Sequence, residues 1–204
     1  MSKLLIEKSN ILSNPDLVRQ LAMEEEYYTK DNHPEIYGEM ICTISKDVSK
    51  EFGVLSDATQ EVINHFQELT NKKVTNYKTY LQYNTESSDE PYVHTDHYLT
   101  LNEGLFPVEY IGNVYITPSN IAQNDSARFE FFTANELDES AEMEDYLKLG
   151  DDKLTALSTK AFEYNKAIIF DSSIPHRNAP ICDTYWGTTQ ADSPLCFTVF
   201  MNTL

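Results

Sequence analysis

Two stretches near the N-terminus place apolar side chains at helical spacing. The first opens at Asn14-Pro15-Asp16, where Asn14 suits the N-cap and Pro15 suits the first helical position. The second opens at Ser56 or Asp57 and ends near Asn71-Lys72-Lys73. Its apolar stripe consists of Ala58, Val62, Phe66 and Leu69. We therefore predict a helical N-terminal layer over residues 1–73.

From Val74 onward the pattern favours strands. Residues 77–83 alternate, so that Thr79, Leu81 and Tyr83 share one side and Lys78, Tyr80 and Gln82 share the other. Further strands are predicted at 110–117, 128–132, 166–170 and 195–202, with an acidic helix over 136–149 outside the sheet. Together these elements predict a mainly β protein with some helix, a distorted jelly roll with its helices packed on one side.

Length and composition fit one folded unit. At 204 residues with 41% hydrophobic content, the chain can build one ordinary core, and we expect a single domain spanning 1–204 with its β core at 74–204. The formal net charge of −18 repels phosphate backbones and anionic lipid surfaces. We therefore expect neither nucleic acid nor membrane as a partner.

Cysteine usage and the lack of a targeting signal suggest a cytoplasmic protein. Cys42, Cys182 and Cys196 are odd in number and widely spaced, which is typical of reduced thiols rather than of a disulfide framework or a zinc motif. No apolar run reaches the roughly 20 residues that span a bilayer, and the first residues lack the apolar core of a signal peptide.

The chemistry of the chain centres on Tyr92-Val93-His94-Thr95-Asp96-His97-Tyr98. In an extended segment, His94 and Asp96 point to the same face, so an imidazole and a carboxylate can converge. A third ligand would be His176, in the loop that follows the apolar strand 166–170. Two histidines and one carboxylate on one face suit non-haem Fe(II) and leave positions open for co-substrate and oxygen. The alternative is a turn capped by His94 with Asp96, and a loop histidine bonded to backbone.

The order of these motifs resembles the 2-oxoglutarate/Fe(II)-dependent oxygenases, in particular the prolyl-4-hydroxylase-like branch. The resemblance is carried by Tyr83, by His94-Thr95-Asp96 and by the run from Ala167 to Pro180 that contains His176. It implies a double-stranded β-helix of cupin-like architecture, Fe(II) held by His94, Asp96 and His176, and 2-oxoglutarate as co-substrate. It also implies that Tyr83 and Tyr92 lie beside the co-substrate.

The chain departs from this family at its C-terminal end. Family members usually carry Arg or Lys at the start of the last strand to bind the far carboxylate of 2-oxoglutarate, whereas no cation follows Arg177 here. The chain has three arginines, and Arg19 belongs to the outer helix. Because Arg grips carboxylates bidentately, Arg177 and Arg128 are the candidates for this role. Surface pairing of both arginines with nearby carboxylates is the alternative.

The resemblance implies a dioxygenase that converts 2-oxoglutarate to succinate and carbon dioxide while hydroxylating a small-molecule or peptidyl substrate. Two other functions fit the same residues. A jelly-roll binding module could have kept the fold and lost 2-oxoglutarate binding, which the missing C-terminal cation favours. A metal-dependent hydrolase could use His94, Asp96 and His97, although alternation sends His97 to the face opposite Asp96. The sequence does not indicate the oligomeric state.

Overall fold

The fold was obtained as a computed structural model that describes residues 3–28, 43–83, 93–101, 104–118, 128–133, 145, 149, 153–178 and 191–203. The helices are α1 (Pro15–Glu24) and α2 (Val54–Thr70). The strands are β1 (Leu5–Ser9), β2 (Tyr27–Tyr28), β3 (Thr43–Ser45), β4 (Val74–Tyr83), β5 (Tyr98–Leu101), β6 (Gly104–Pro107), β7 (Tyr110–Tyr115), β8 (Arg128–Thr133), β9 (Thr155–Ala161), β10 (Lys166–Asp171), β11 (His176–Asn178) and β12 (Leu195–Thr203). Within these residues, no helix is long and apolar enough to cross a membrane.

Two antiparallel sheets face each other. In the described part of the chain, the larger sheet has the strand order β1-β10-β7-β12-β4-β3-β2, and the smaller has the order β11-β8-β9. His94 pairs with His176 and so extends the smaller sheet by one segment beyond β11. An ion pair of 2.8 Å between Lys160 of β9 and Glu7 of β1 joins one edge of the smaller sheet to one edge of the larger sheet. The His94 segment therefore lies at the edge of the smaller sheet that is farther from this ion pair.

The helices cover the outer face of the larger sheet. Phe66 of α2 is fully buried there, and alternate residues of β12 such as Phe197 and Val199 face it. The Asn14 side chain accepts a hydrogen bond from the Leu17 backbone N–H at 3.3 Å, which confirms the predicted N-cap of α1. The C-cap of α2 is Asn71, whose φ of 55° is left-handed, a conformation that Asn tolerates well. The predicted one-sided helical layer is thus present.

The space between the two sheets is filled mainly by aromatic side chains. Phe131 and Phe170 are fully buried there, and they pack with Phe129 and Phe200. The predicted jelly roll, a double-stranded β-helix with helices on one side, is confirmed by this arrangement of two stacked sheets.

Several strands differ from the prediction. The N-terminal segment is not purely helical, because β1 enters the larger sheet beside β10. Tyr27–Tyr28, within the predicted helical layer, also forms a strand, which pairs with β3. β1 and β9 escaped prediction because both are edge strands with mixed exposure and little alternation. The acidic helix over 136–149 lies almost entirely outside the described residues, as do Cys42 and Cys182.

Packing of α2 on the sheet should carry much of the stability. Replacing Phe66, which is fully buried, with Ala should lower the free energy of unfolding by about 3–5 kcal/mol. Leu69→Ala on the same helix is the control, since Leu69 is 43% exposed, and it should cost less than about 1 kcal/mol. Urea denaturation followed by circular dichroism measures both values. Equal losses for the two variants would contradict this packing.

Candidate metal centre

His94 and His176 are held side by side by their own backbones. The His94 N–H donates to the His176 carbonyl at 3.0 Å, and the His176 N–H donates to the His94 carbonyl at 2.9 Å. Residues that exchange both hydrogen bonds in an antiparallel pair project their side chains to the same face. The two imidazole rings accordingly lie 4.6 Å apart between their centroids.

Asp96 is brought to the histidines by the turn between β10 and β11. The Asp96 N–H donates to the carbonyl of Ser172 at 3.1 Å. That turn is itself fixed by Asp171, whose carboxylate accepts from the backbone N–H and the hydroxyl of Ser173 at 3.0 and 2.6 Å. The Ser172 hydroxyl further donates to the carbonyl of Val108 at 2.7 Å.

The three side chains form a compact cluster. The Asp96 carboxylate lies 3.8 Å from Nε2 of His94 and 3.3 Å from Nε2 of His176. One potential ligand atom from each residue lies within 4.8 Å of the others. Among the described residues, these three side chains form the candidate metal-binding cluster. The structure therefore brings together the three residues that the sequence singled out. Two histidines and one carboxylate are a ligand set that can bind Fe(II) on one face of its coordination octahedron.

The His176 ring has a fixed orientation. Its Nδ1 lies 2.9 Å from the carbonyl oxygen of Ile174, so Nδ1 is the donor and Nε2 is the atom left to face Asp96. The side chain is 2% exposed and packs against Phe170, with ring centroids 4.8 Å apart. Phe129 and Phe131 contact the same imidazole, each at 6.0 Å. A backbone acceptor behind a histidine is the usual support for a metal ligand.

The electrostatics favour an ionised carboxylate. Removal from water raises the pKa of Asp96, but the hydrogen bond from His176 and the charges of His94, His176 and His97 outweigh this effect. The pKa of Asp96 consequently falls to about 2. Asp96 is thus ready to bind a cation at any ordinary pH. Nε2 of His97 is buried without a hydrogen-bond partner among the described residues, and His97 is not a member of the cluster.

The residues predicted to lie beside the co-substrate do not form a cluster of this kind among the described residues. Tyr83 faces the helices, where its ring lies 4.9 Å from that of Tyr27. Arg177 follows the inward His176 and pairs with Glu130 on the opposite face of the smaller sheet, at 2.9 Å. Arg128 is exposed on β8, and Tyr92 lies outside the described residues. Their role in co-substrate binding stays a prediction.

The inner face of β4 carries polar residues that the sequence pattern did not assign to the site. Lys78, Tyr80 and Gln82 alternate with the helix-facing residues and point between the two sheets. The hydroxyl of Thr198 on β12 bonds both Gln82 Oε1, at 2.6 Å, and the side-chain amide of Asn113 on β7. A hydroxyl has one hydrogen, so one of the two amides must present its NH₂ group. The alternation of 77–83 was the signal that could have identified this face.

The same fold occurs in solved structures. The carbocyclase SnoK from nogalamycin biosynthesis, a non-haem alpha-ketoglutarate-dependent enzyme, aligns with a TM-score of 0.66 at 12% identity, over 98% of this chain and 80% of that one. HygX from Streptomyces hygroscopicus, with nickel, 2-oxoglutarate and hygromycin B bound, aligns with a TM-score of 0.58 at 11% identity, over 96% and 82%. A Pseudomonas putida prolyl-4-hydroxylase gives 0.53 at 12% identity, over 98% and 93%.

The similarity of this chain to known proteins lies in its fold and not in its sequence. No protein-family model matches the chain, and no curated protein is similar to it in sequence. The resemblance to 2-oxoglutarate/Fe(II)-dependent oxygenases, including a prolyl hydroxylase, is therefore confirmed at the level of the fold.

The cluster should bind a divalent metal through all three side chains. His94→Ala and His176→Ala should each lower Fe(II) affinity by more than about 100-fold. Each variant loses a metal ligand, and this should lower the affinity more than the loss of a residue that only orients a ligand. The surface variant His65→Ala is the control and should bind as the wild type does. Anaerobic calorimetric titration measures the affinities, and near-UV circular dichroism checks the fold. Full iron affinity in folded His176→Ala would contradict the assignment.

Proposed function

We propose that this protein is a non-haem Fe(II), 2-oxoglutarate-dependent dioxygenase that hydroxylates a small-molecule or peptidyl substrate. The observation that carries the proposal is the convergence of His94, Asp96 and His176 on one point at the wall of the jelly roll. Bound Fe(II) would supply the oxygen chemistry, with 2-oxoglutarate as reductant yielding succinate and carbon dioxide. His94, Asp96 and His176 are the proposed metal ligands.

The chain's own residues orient the site and keep water from it. The Ile174 carbonyl fixes the His176 ring so that Nε2 faces the cluster. Phe129, Phe131 and Phe170 surround this ring with apolar surface, which strengthens electrostatic interactions inside. Asp96 supplies the negative charge that matches a divalent cation, since its pKa of about 2 keeps it ionised.

The β5–β6 hairpin, which follows Asp96, has an exposed apolar face that favours an organic substrate. Tyr98 of β5 and Leu105 of β6 are 61% and 65% exposed. Tyr98 pairs with Pro107, and Leu105 precedes Pro107 by two residues, so all three share one face of the hairpin. Exposed apolar groups on the hairpin that follows Asp96 suit a substrate with apolar parts, such as a peptide or a small metabolite. Among the proteins that share the fold, HygX has hygromycin B bound, SnoK comes from nogalamycin biosynthesis, and one is a prolyl-4-hydroxylase.

A binding module without catalysis is the second candidate, favoured by one observation. The inward residues of β12 are Cys196, Thr198 and Phe200, so the strand on which the family carries its carboxylate-binding cation offers none. A metal-dependent hydrolase is less consistent with the structure, because His97 does not join the metal cluster.

Turnover without added substrate distinguishes these functions. With Fe(II), oxygen and 2-oxoglutarate, the wild-type protein should release succinate slowly, and this release should fall to background in Asp96→Ala. His65→Ala is the matched control, and it should retain the wild-type rate. Succinate is measured by mass spectrometry. Tight iron binding without any succinate would favour the binding module, and zinc binding with hydrolysis would favour the hydrolase.

A further inference from the structure

The outer edge of β5 has no described strand beside it. In the described part of the chain, β5 and β6 form a two-stranded sheet, and β5 pairs with β6 alone. A strand at the edge of a sheet presents backbone N–H and C=O groups that can pair with a further strand. The groups at this edge, and its place beside the metal cluster, determine which partner it fits.

Tyr98 and Thr100 direct their backbone groups to this outer edge. The Val108 N–H donates to the His97 carbonyl at 2.9 Å. This bond flanks the pair formed by Tyr98 and Pro107, which is therefore a non-hydrogen-bonded pair of the antiparallel ladder. Pro107 agrees with this, because it has no N–H to donate. The N–H and C=O of Tyr98 thus point away from β6, and those of Thr100, two residues later, do the same.

These outward groups have no partner among the described residues. Within the part of the chain that the structure describes, neither Tyr98 nor Thr100 makes a backbone hydrogen bond outside the β5–β6 pair. The Tyr98 side chain is 61% exposed, so solvent reaches this edge. The edge is therefore open to a partner from solution.

β5 also lacks the features that protect other edge strands from pairing. Edge strands of native proteins commonly carry Lys or Pro, or are covered by other parts of the chain. β6 has Pro107 at an outward position, and Lys160 of β9 pairs with Glu7 of β1. β5 reads Tyr-Leu-Thr-Leu, without charge, Pro or Gly. An open edge of this kind is what binding by strand addition requires.

This edge leads to the metal cluster. Tyr98 follows Asp96 by two residues, which is roughly 7 Å of extended chain. His94 and Asp96 direct their backbone N–H groups to the carbonyls of His176 and Ser172. Residues two apart on an extended chain direct their backbone groups to the same edge, so the outer edge of β5 continues the edge that holds these ligands. A strand added to β5 would run up to the cluster.

Charge indicates which peptide this edge would bind. The formal net charge of −18 repels a second copy of this chain and attracts a cationic peptide. The exposed Tyr98 ring also offers a face on which an Arg or Lys side chain can stack. Side chains directly opposite each other on neighbouring strands are in contact distance, so a basic residue opposite Tyr98 would reach this ring.

We propose that the outer edge of β5 binds a basic peptide in extended conformation, which adds to the β5–β6 sheet as a third strand. This inference rests on the proposed function and narrows its substrate class to peptides. The backbone groups of Tyr98 and Thr100 bond to the peptide backbone, and the Tyr98 ring contacts an Arg or Lys side chain of the peptide. The residues that follow in the peptide reach the metal cluster.

Two peptide pools test the role of charge. Both contain N-acetylated, C-amidated octapeptides with varied neutral residues, and the fourth residue is Arg in one pool and Glu in the other. Affinity selection on the Mn(II)-loaded wild-type protein, followed by mass spectrometry, identifies the peptides that bind. We expect ligands from the Arg pool and none from the Glu pool. Equal recovery from the two pools would overturn the proposal.

Hydrogen exchange measured by NMR locates the bound peptide. In the free protein, the amides of Tyr98 and Thr100 are unpaired and should exchange fast, whereas the Leu99 amide faces β6 and should be protected. A selected Arg peptide should slow exchange at Tyr98 and Thr100 by about tenfold or more, as one net hydrogen bond predicts. Peptide binding without protection of these two amides means that the docking site lies elsewhere.

Backbone pairing is tested on both partners. Thr100→Pro removes an N–H that points to the peptide and should lower the affinity of the selected peptide by about tenfold. Thr100→Ala is the matched control, since it keeps this N–H, and it should bind as the wild type does. Near-UV circular dichroism and Mn(II) affinity check the fold of both variants.

N-methylation of the selected peptide makes the same test without a change in the protein. Methyl groups at alternate residues should weaken binding by about tenfold, and methyl groups at the residues between them should not. Weaker binding at every methylated position, or at none, would contradict strand addition.

Failure of this inference is distinguishable from failure of the proposed function, because peptide binding is measured without turnover and succinate release without peptide. If the wild type releases succinate but binds neither pool, the assignment of the β5 edge is wrong and the proposed function stands. If Arg peptides bind as expected and no succinate forms with Fe(II), 2-oxoglutarate and oxygen, the docking edge belongs to a binding module and the proposed function fails.

Discussion

The reciprocal pair of backbone hydrogen bonds between His94 and His176 is the constraint on which the site depends. These residues are far apart along the chain. Their backbone N–H and carbonyl groups nevertheless exchange two hydrogen bonds, at 3.0 and 2.9 Å. Because side chains alternate along a strand, a slip of one residue in this pairing would turn one imidazole away from the other. The pairing therefore determines both the distance and the direction of the two rings.

The rest of the fold fixes that register. The turn made by Asp171 and Ser173 sets where β11 begins, and the Ser172 carbonyl receives Asp96. Behind the histidines, the aromatic cluster between the sheets is close-packed, so the His176 ring has little freedom to rotate. On the far side of the larger sheet, α2 buries its own apolar face and keeps the sheet in place. Together with the two backbone hydrogen bonds, this packing holds the three candidate ligands in a rigid arrangement.

Charge is distributed unevenly in this acidic protein. Lys160, Lys166 and Arg177 pair with carboxylates at the rims or outer faces of the sheets. Lys78 is a cation that faces inward, close to a carboxylate that is itself held by backbone amides. Burying a charge is unfavourable unless it is compensated, so such a pair is a feature that stability alone does not require.

The sequence predicted the parts of the molecule that have strong local signals. The N-cap at Asn14, the alternation of β4 and the shared face of His94 and Asp96 follow from short-range pattern, and His176 was singled out by its place after an apolar strand. The edge strands β1 and β9 could not be predicted, because their mixed exposure reflects neighbours that are distant in sequence. The inward face of β4 could not be predicted for a related reason. Alternation shows that Lys78 and Tyr83 lie on opposite sides of β4, but only the positions of the helices show which side is the interior.

The most direct test of the account is an anomalous-difference map from crystals grown with manganese(II). The account predicts one strong peak within coordination distance of Nε2 of His94, Nε2 of His176 and the carboxylate of Asp96, all three together. A peak bound by other residues, or a metal-free cluster in a protein whose sheets are otherwise as described, would contradict it.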